Sequence, residues 1–260
     1  MKKYFVIGNP ISHSLSPELH NFWIKKNKIN AVYEKKKLEE SDLKEFIDNM
    51  RSEKIHGINV TVPFKNKVIK YLDKLSLEVE TTDSVNTIYK SGNEIIGHNT
   101  DVAGFELGLR HSKINVLHKS VLILGAGGVV PSIIYSLLSM GCKKIFLSNR
   151  TIQKAENIKK KFDEVEILKW GEIPDFDIVV NATSVGLKGD SLDLEFNVKD
   201  KIFYDVIYNP KETQFLKKAK QDGNKIENGM MMFIYQANQS FSIWNNIIPK
   251  IDDEVLEILK

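Results

Sequence analysis

The sequence predicts an α/β protein with mostly parallel sheets, and three observations predict it. Short apolar runs rich in β-branched residues alternate with stretches of helical periodicity. One run, Ser120-Val121-Leu122-Ile123-Leu124, is almost continuously apolar, as in strands covered on both faces. That run passes directly into a glycine turn, Gly125-Ala126-Gly127-Gly128. The 260 residues allow one large domain or two modest ones.

In chain order, Tyr4 to Ile7 read as a strand ending at Gly8. Pro17 opens a helix that carries Leu19, Phe22 and Trp23 on one side. Leu43, Phe46, Ile47 and Met50 recur at three and four, a helical stripe. Ile58 to Val62 read as a strand stopped by Pro63, followed by a helix through Val68, Ile69 and Leu72. Val85 to Ile88 and Glu94 to Ile96 look like a strand pair, and Val102 to Arg110 like a helix leading into a second unit. There, strands are expected at Val121–Leu124, Lys144–Leu147, Val165–Leu168, Ile178–Asn181 and Ile202–Val206, with helices between them. Met231 to Trp244 and Asp253 to Leu259 read as helix. No internal repeat or low-complexity linker appears.

Composition excludes several classes. Apolar residues make up 42% and charged residues 27%, ordinary for a globular chain. With 37 basic and 34 acidic residues the net charge is +3, too balanced for a nucleic-acid binder. The runs Lys35-Lys36-Lys37 and Lys159-Lys160-Lys161 lie beside acids and read as solvated faces. The single cysteine, Cys142, forbids an intrachain disulfide and reads as a packed small hydrophobe. No Cys/His cluster has metal-ligand spacing, so no metal site is expected. No apolar run reaches the length of a membrane span, and the start MKKYFVIGNP lacks a long apolar stretch of the signal-peptide kind. A cytoplasmic protein with no membrane or nucleic-acid partner is expected.

The glycine turn carries a nucleotide signal. Gly125 permits the tight turn, and Gly127 lets the backbone approach a pyrophosphate. The helix that follows Gly128 and Val129 offers free N–H groups and a positive dipole end, and Pro131 suits its first turn. Val130 stands where a third glycine would fall. An ordinary βα turn gives similar letters, so the next strand matters. An NAD enzyme places Asp or Glu about twenty residues on, against the ribose 2′-hydroxyl. This chain has Ser148-Asn149-Arg150-Thr151 and then Lys154. A guanidinium pairs with a 2′-phosphate, so NADP(H) is favoured over NAD. The competing reading is a surface arginine beside a helix capped by Thr151.

Three segments of the first unit place polar residues at strand ends. In Gly8-Asn9-Pro10-Ile11-Ser12-His13-Ser14-Leu15-Ser16-Pro17, Ser14 and Ser16 can point one way and cradle a carboxylate, although Ser16 before Pro17 also suits an N-cap. In Asn59-Val60-Thr61-Val62-Pro63-Phe64-Lys65, Asn59 and Thr61 share a strand face, and Lys65 lies where open α/β sheets hold ligands. A lone lysine is more often a surface charge. In Asn99-Thr100-Asp101, Asp101 is either a functional carboxylate or the N-cap of the helix near Val102. Asn86, in Ser84-Val85-Asn86-Thr87, adds an amide.

Together these segments resemble the shikimate dehydrogenase family. The likeness continues through Gly125–Gly128, Asn149-Arg150-Thr151, Asn181-Ala182-Thr183-Ser184-Val185-Gly186, Tyr204-Asp205-Val206-Ile207-Tyr208-Asn209-Pro210 and Gly229-Met230 to Gln236. It departs at Val130 and at Lys154, where a second arginine is common. The resemblance implies an N-terminal α/β substrate-binding and catalytic domain over 1–101 and a Rossmann-type NADP-binding domain over 102–236, with the active site in the cleft between them. A C-terminal helix, about 237–260, would pack back onto the first. It implies reversible, NADPH-dependent reduction of 3-dehydroshikimate to shikimate, in chorismate and aromatic amino acid biosynthesis, by a monomer or homodimer.

By the same resemblance, Lys65 and Asp101 are the catalytic pair, and Ser14 and Ser16 hold the substrate carboxylate with Tyr208 near it. Asn59, Thr61, Asn86 and Gln236 bind substrate hydroxyls. Gly125, Ala126, Gly127, Gly128, Val129, Asn149, Arg150, Thr151, Lys154, Thr183, Ile207, Gly229 and Met230 face the cofactor. Two other readings stay open: a quinate/shikimate dehydrogenase with relaxed cofactor use, and a non-catalytic metabolite-sensing module on the same fold.

Overall fold

A computed structural model describes residues 1–259. The chain divides into two units, Met1–Asp101 with Ile234–Lys260, and Val102–Phe233. Lys260, the end of the expected C-terminal segment, lies outside the described residues.

The first unit holds strands β1 (Lys2–Gly8), β2 (Ala31–Lys37), β3 (Gly57–Val60), β4 (Lys74–Leu75), β5 (Thr87–Ser91) and β6 (Glu94–His98), with helices α1 (Ser16–Lys26), α2 (Leu43–Arg51) and α3 (Leu77–Thr82). Helix α4 (Thr100–His111) follows. The second unit contains β7 (Ser120–Leu124), α5 (Val130–Ser139), β8 (Lys144–Ser148), α6 (Ile152–Lys159), β9 (Val165–Leu168), β10 (Ile178–Asn181), β11 (Ile202–Asp205), α7 (Gln214–Gln221) and β12 (Lys225–Glu227). Helices α8 (Met230–Asn245) and α9 (Asp253–Ile258) close the chain.

The first sheet runs β2-β1-β3-β5-β6-β4. It is mixed: β1 pairs parallel with β2 and β3, and β4 with β6, while β5 pairs antiparallel with both β3 and β6. The turn Gly92-Asn93 allows the β5–β6 hairpin, with Gly92 at φ +59. One face of this sheet carries Ile7, Ile58, Val60, Ile88 and Ile95 against Leu43, Ile47 and Met50 of α2. On α1, Leu19, His20 and Trp23 are buried, with Phe241 of α8 beside the latter two. Trp244 of α8 lies over Gly57, where an added Cβ would come 2.5 Å from its indole ring. The C-terminal segment is tied to α1, since Trp23 donates to the Lys250 carbonyl at 3.1 Å and Lys26 pairs with Asp252 at 2.9 Å.

The second sheet is wholly parallel in the order β12-β11-β10-β7-β8-β9. Chain order reverses between β7 and β10, the switch point where such sheets bind ligands outside their strand ends. Strand β7 explains the continuous apolar run. Val121 and Ile123 enter one core with Val130, Ile133 and Leu137 of α5, while Leu122 and Leu124 enter the other with Phe203, Phe215 and Leu216.

Several expected bounds shift. The strand read to Val62 ends at Val60, and the Val68–Leu72 helix is only a 3₁₀ turn over Ile69–Tyr71. The first strand of the hairpin starts at Thr87 instead of Val85. Lys35-Lys36-Lys37 belong to the edge strand β2, where exposed lysines discourage pairing with another chain. No helix among the described residues is long and apolar enough to cross a membrane.

Candidate active site

Two clusters of predicted residues form, one in each unit. In the first unit, Phe64 is buried in the core directly after Pro63. The Lys65 carbonyl accepts from the Val85 amide at 2.8 Å, so the backbone of Lys65 is held on both sides. Its ammonium donates to Oδ2 of Asp101. Their side chains are only 14% and 9% exposed, so this is not a solvated surface ion pair.

Asp101 lies within the first turn of α4, not before the helix. Asn99 does the capping work, its Oδ1 accepting the Asp101 amide at 3.0 Å. That leaves the Asp101 carboxylate for Lys65 and for Asn86, which donates to Oδ1 at 2.9 Å. Asn86 also donates to the Thr100 hydroxyl at 2.9 Å, and its Oδ1 accepts the Thr100 amide at 2.7 Å. Gln236 Oε1 stands farther off, at 3.5 Å. The two hydrogens of the Asn86 amide therefore face two close acceptors inside the protein.

Asn59 is committed in the same way. Its Nδ2 donates to the Asn86 carbonyl and to the Thr87 hydroxyl, each at 3.1 Å, and its Oδ1 accepts from Tyr33 at 2.7 Å. One Oδ1 lone pair is what it retains for a ligand. Thr61 is partly exposed, and its methyl occupies the space that a Cβ on Gly8 would take.

Ser16 is the first residue of α1, with no N-cap bond of its own, and is buried. The Ser14 hydroxyl accepts the Ser16 amide at 3.3 Å, which leaves its hydrogen to offer. Lys65, Asp101, Asn86, Asn59 and Gln236 thus form one connected group. Tyr33, Thr87 and Thr100 complete it and were not singled out from the sequence. Thr87 and Thr100 adjoin Asn86 and Asp101, a usable signal, whereas Tyr33 lies beside the lysine run with no local cue.

In the second unit the glycine turn closes β7. The register sets Leu124 beside Ser148 on one side and Asn181 on the other, so the loops carrying Arg150 and Thr183 flank Gly125. Gly125 has φ +103, and a Cβ there would meet the Ala182 carbonyl oxygen at 2.9 Å. A Cβ on Gly127 would meet only that oxygen at 3.7 Å, and one on Gly128 nothing within 4 Å. Both glycines are exposed just ahead of α5, where helical N–H groups begin, and carry no side chain to keep a pyrophosphate from that turn. Ala126 and Val129 are partly buried beside them, and Val130 is fully buried in the core.

Asn149 donates to the Thr151 carbonyl at 2.8 Å and shapes the turn. Arg150 and Lys154 are exposed, and neither has an ion-pair partner among the described residues. Thr151 caps α6 by position without a side-chain bond. The residues present fit a dinucleotide bearing a 2′-phosphate.

Asp205 ties the remaining loops together. It accepts from Asn181 at 3.1 Å, from the Thr213 hydroxyl at 2.6 Å and from the Ile207 amide at 3.0 Å. Burial raises its pKa against the lowering by these three bonds. Asn181 Oδ1 in turn accepts from the Thr183 hydroxyl at 2.7 Å. The Gly229 amide donates to the Ile207 carbonyl at 3.1 Å, and a Cβ on Gly229 would collide with the Val206 carbonyl. Met230 follows, its amide capped by Asn228 at 3.0 Å. Tyr208 belongs to this unit, its ring stacked on Phe233 with centroids 4.6 Å apart.

A family model for the shikimate dehydrogenase substrate binding domain matches residues 6–88, and one for shikimate / quinate 5-dehydrogenase matches 108–187. A protein named shikimate dehydrogenase (NADP(+)) from Pelagibacter ubique is 58% identical over 263 residues, 100% of this chain and 99% of that protein. One of the same name from Caldicellulosiruptor saccharolyticus is 37% identical over 274 residues, covering 100% and 98%. Among solved structures, shikimate 5-dehydrogenase from Listeria monocytogenes, in complex with shikimate and NAD, is similar at a TM-score of 0.92 and 30% identity, covering 100% and 96%. That from Thermus thermophilus, in complex with NADP(H) and shikimate, has a TM-score of 0.89 at 29% identity, covering 99% and 97%.

Proposed function

The chain belongs to the shikimate dehydrogenase family, and from that premise we propose that it reduces 3-dehydroshikimate to shikimate reversibly with NADPH, using Lys65 and Asp101. The observation that carries this reading is the Lys65–Asp101 pair, withdrawn from water and joined to Asn86. Gly125 to Val129 would hold the pyrophosphate, and Arg150, with Lys154 near it, the 2′-phosphate. Thr183, Ile207, Gly229 and Met230 would line the cofactor's other end. NADPH, when bound, supplies a hydride.

Lys65 as ammonium polarises the ketone and gives its proton to the oxygen, so that a neutral amine and a secondary alcohol result. Asp101 holds the ammonium in place. Each of its oxygens already accepts one bond and keeps a lone pair for a substrate hydroxyl. Ser14 and Ser16 face the carboxylate. Thr61, Gln236 and the spare lone pair of Asn59 take hydroxyls, and Asn86 keeps Asp101 aligned. A site built to bond hydroxyls rejects ligands that lack them, because its polar groups stay unpaired.

The test is loss of NADPH absorbance on addition of 3-dehydroshikimate, with NADH and with quinate oxidation run beside it. Turnover with 3-dehydroshikimate and NADPH is expected. Equal or better turnover of quinate would move the assignment to the quinate/shikimate reading. Saturable binding of NADPH with no turnover of either acid would move it to a sensing module.

A further inference from the structure

The segment Thr82–Asn86, which joins α3 to β5, is bonded to both members of the Lys65–Asp101 pair. At one end, the Val85 amide donates to the Lys65 carbonyl at 2.8 Å, and Asn86 donates to Asp101 Oδ1 at 2.9 Å. At the other end, Thr82 reaches the backbone of Asp101 through a single residue. Asn99 Nδ2 donates to the Thr82 hydroxyl at 3.0 Å, and Asn99 Oδ1 accepts the Asp101 amide at 3.0 Å. Thr82 and Asn99 are both buried.

The direction of this chain is fixed from its far end. The Thr82 hydroxyl donates its one hydrogen to the Glu78 carbonyl, a turn back on α3. Toward Asn99 it can therefore only accept. Asn99 must turn its NH₂ to Thr82, which leaves its oxygen facing the Asp101 amide. An amide in the first turn of a helix has no partner within the helix, so this oxygen supplies one. The neighbouring Thr100 amide is taken by Asn86 Oδ1 at 2.7 Å. Two asparagines thus hold two successive amides at the start of α4, and Thr82 decides which way one of them lies. We propose that Thr82 is a positioning residue for the reduction: by orienting the Asn99 amide it fixes the backbone from which Asp101 holds the Lys65 ammonium. This rests on the reading of Lys65 and Asp101 as the catalytic pair.

The segment that carries Thr82 is anchored on both sides. The Asp83 amide donates to the Val79 carbonyl at 2.7 Å, with Asp83 in the left-handed region at φ 55, and the Asn86 amide donates to the His98 carbonyl at 3.1 Å. In Thr82→Val the Asn99 NH₂ faces a methyl group in place of an acceptor. Asn99 relieves this by flipping or by swinging away, and either move takes its oxygen from the Asp101 amide. A misplacement of about 1 Å at reacting groups costs about 10²-fold in rate.

The experiment compares Thr82→Val, which keeps the branched shape, with Thr82→Ser, which keeps the hydroxyl, in reduction of 3-dehydroshikimate by NADPH. Thr82→Val is expected to lower kcat about ten- to hundredfold, with KM for NADPH within about twofold of wild type. Thr82→Ser is expected to stay within about threefold of wild type in kcat. The reverse order would show that Thr82 acts by packing and would overturn the proposal. Thr82→Ala, a residue that favours the helix, carries the same test should Thr82→Val not fold; a kcat within about threefold of wild type would overturn it equally.

A smaller folded fraction would also lower kcat, so the substitution is repeated in a Lys65→Ala background. Without the ammonium, Asp101 has nothing to hold for the proton transfer. There, loss of the Thr82 hydroxyl is expected to change the residual rate by no more than about threefold. The same factor in both backgrounds would mean that Thr82 serves folding alone and would overturn the proposal. Wild type that reduces 3-dehydroshikimate while these outcomes fail removes only the role of Thr82. Wild type inert toward it removes the proposed function, and the role of Thr82 with it.

Discussion

Asn86 and Asp101 are joined by a hydrogen bond of 2.9 Å to Oδ1, while Lys65 holds Oδ2 of the same carboxylate. The carboxylate is thus gripped at both oxygens by groups from other segments, and the lysine has one fixed partner. Lys65→Ala is expected to lower kcat by roughly 10²–10⁴-fold, the span of general acid–base groups, with a smaller effect on KM for shikimate. Steady-state rates in both directions check this. A variant turning over near the wild-type rate would take Lys65 out of the proton transfer.

Asn86→Ala tests the scaffold. It would strip Asp101 Oδ1 of its donor and leave the Thr100 amide, now 2.7 Å from Asn86 Oδ1, without an acceptor. Leaving a buried polar group unpaired costs about 1–3 kcal/mol. A loss of that size in chemical denaturation is expected, together with a lowered kcat. Unchanged stability would mean that water replaces the amide.

Arg150 is exposed and has no ion-pair partner among the described residues. Arg150→Ala is expected to lower the NADPH-to-NADH ratio of kcat/KM about ten- to hundredfold, from the loss of charge-assisted bonds of about 1.5–3 kcal/mol. Rates with NADH should change little. A ratio that does not move would pass the 2′-phosphate to Lys154 or to the backbone.

The strands that end at the candidate site were legible because they are short, apolar and buried. Leu124, Ser148 and Asn181 close strands that periodicity alone finds, and the residues just beyond them form the candidate cofactor cluster. Strand β2 escaped because its pattern is Ala-Val-Tyr followed by charge, the mark of an edge strand and equally of a solvated loop. Strands β4 and β12 are only two and three residues long. The internal commitments of Asn59 and Asn86 were not legible either. Their partners Tyr33, Thr87 and Thr100 come from β2, which lies beyond β1 from β3, from β5 and from α4, and spacing along one segment does not report strand order.

Gly229 lies so close to the chain after β11 that a Cβ would collide with the Val206 carbonyl, while its amide donates to Ile207 at 3.1 Å. Gly229→Ala must push that segment away, at a cost of about 1–3 kcal/mol typical of overpacking. The shift reaches Ile207, held on its other side by Asp205. A weaker Kd for NADPH, with shikimate affinity less affected, is expected by fluorescence titration. Equal loss toward both ligands would instead indicate general unfolding.

His20 makes acid stability a property of the first unit. The ring is fully buried among Tyr33, Trp23, Phe241 and Trp244, and neither nitrogen has a hydrogen-bond partner among the described residues. Burial pulls its pKa down to about 3, from an ordinary 6.5. In the folded protein His20 therefore stays neutral across the window between those values, whereas the unfolded chain takes up a proton as pH falls through 6.5. The unfolded state binds more protons there, so stability rises with pH through the window and is fully present above it. The slope from this one group approaches about 1.4 kcal/mol per pH unit. His20→Phe keeps a ring in place and removes the titration. Between pH 7.5 and pH 5 it is expected to lose about 2 kcal/mol less than wild type in urea denaturation. Parallel losses in the two proteins would show that His20 gains a proton partner in the folded state and that acid sensitivity arises elsewhere.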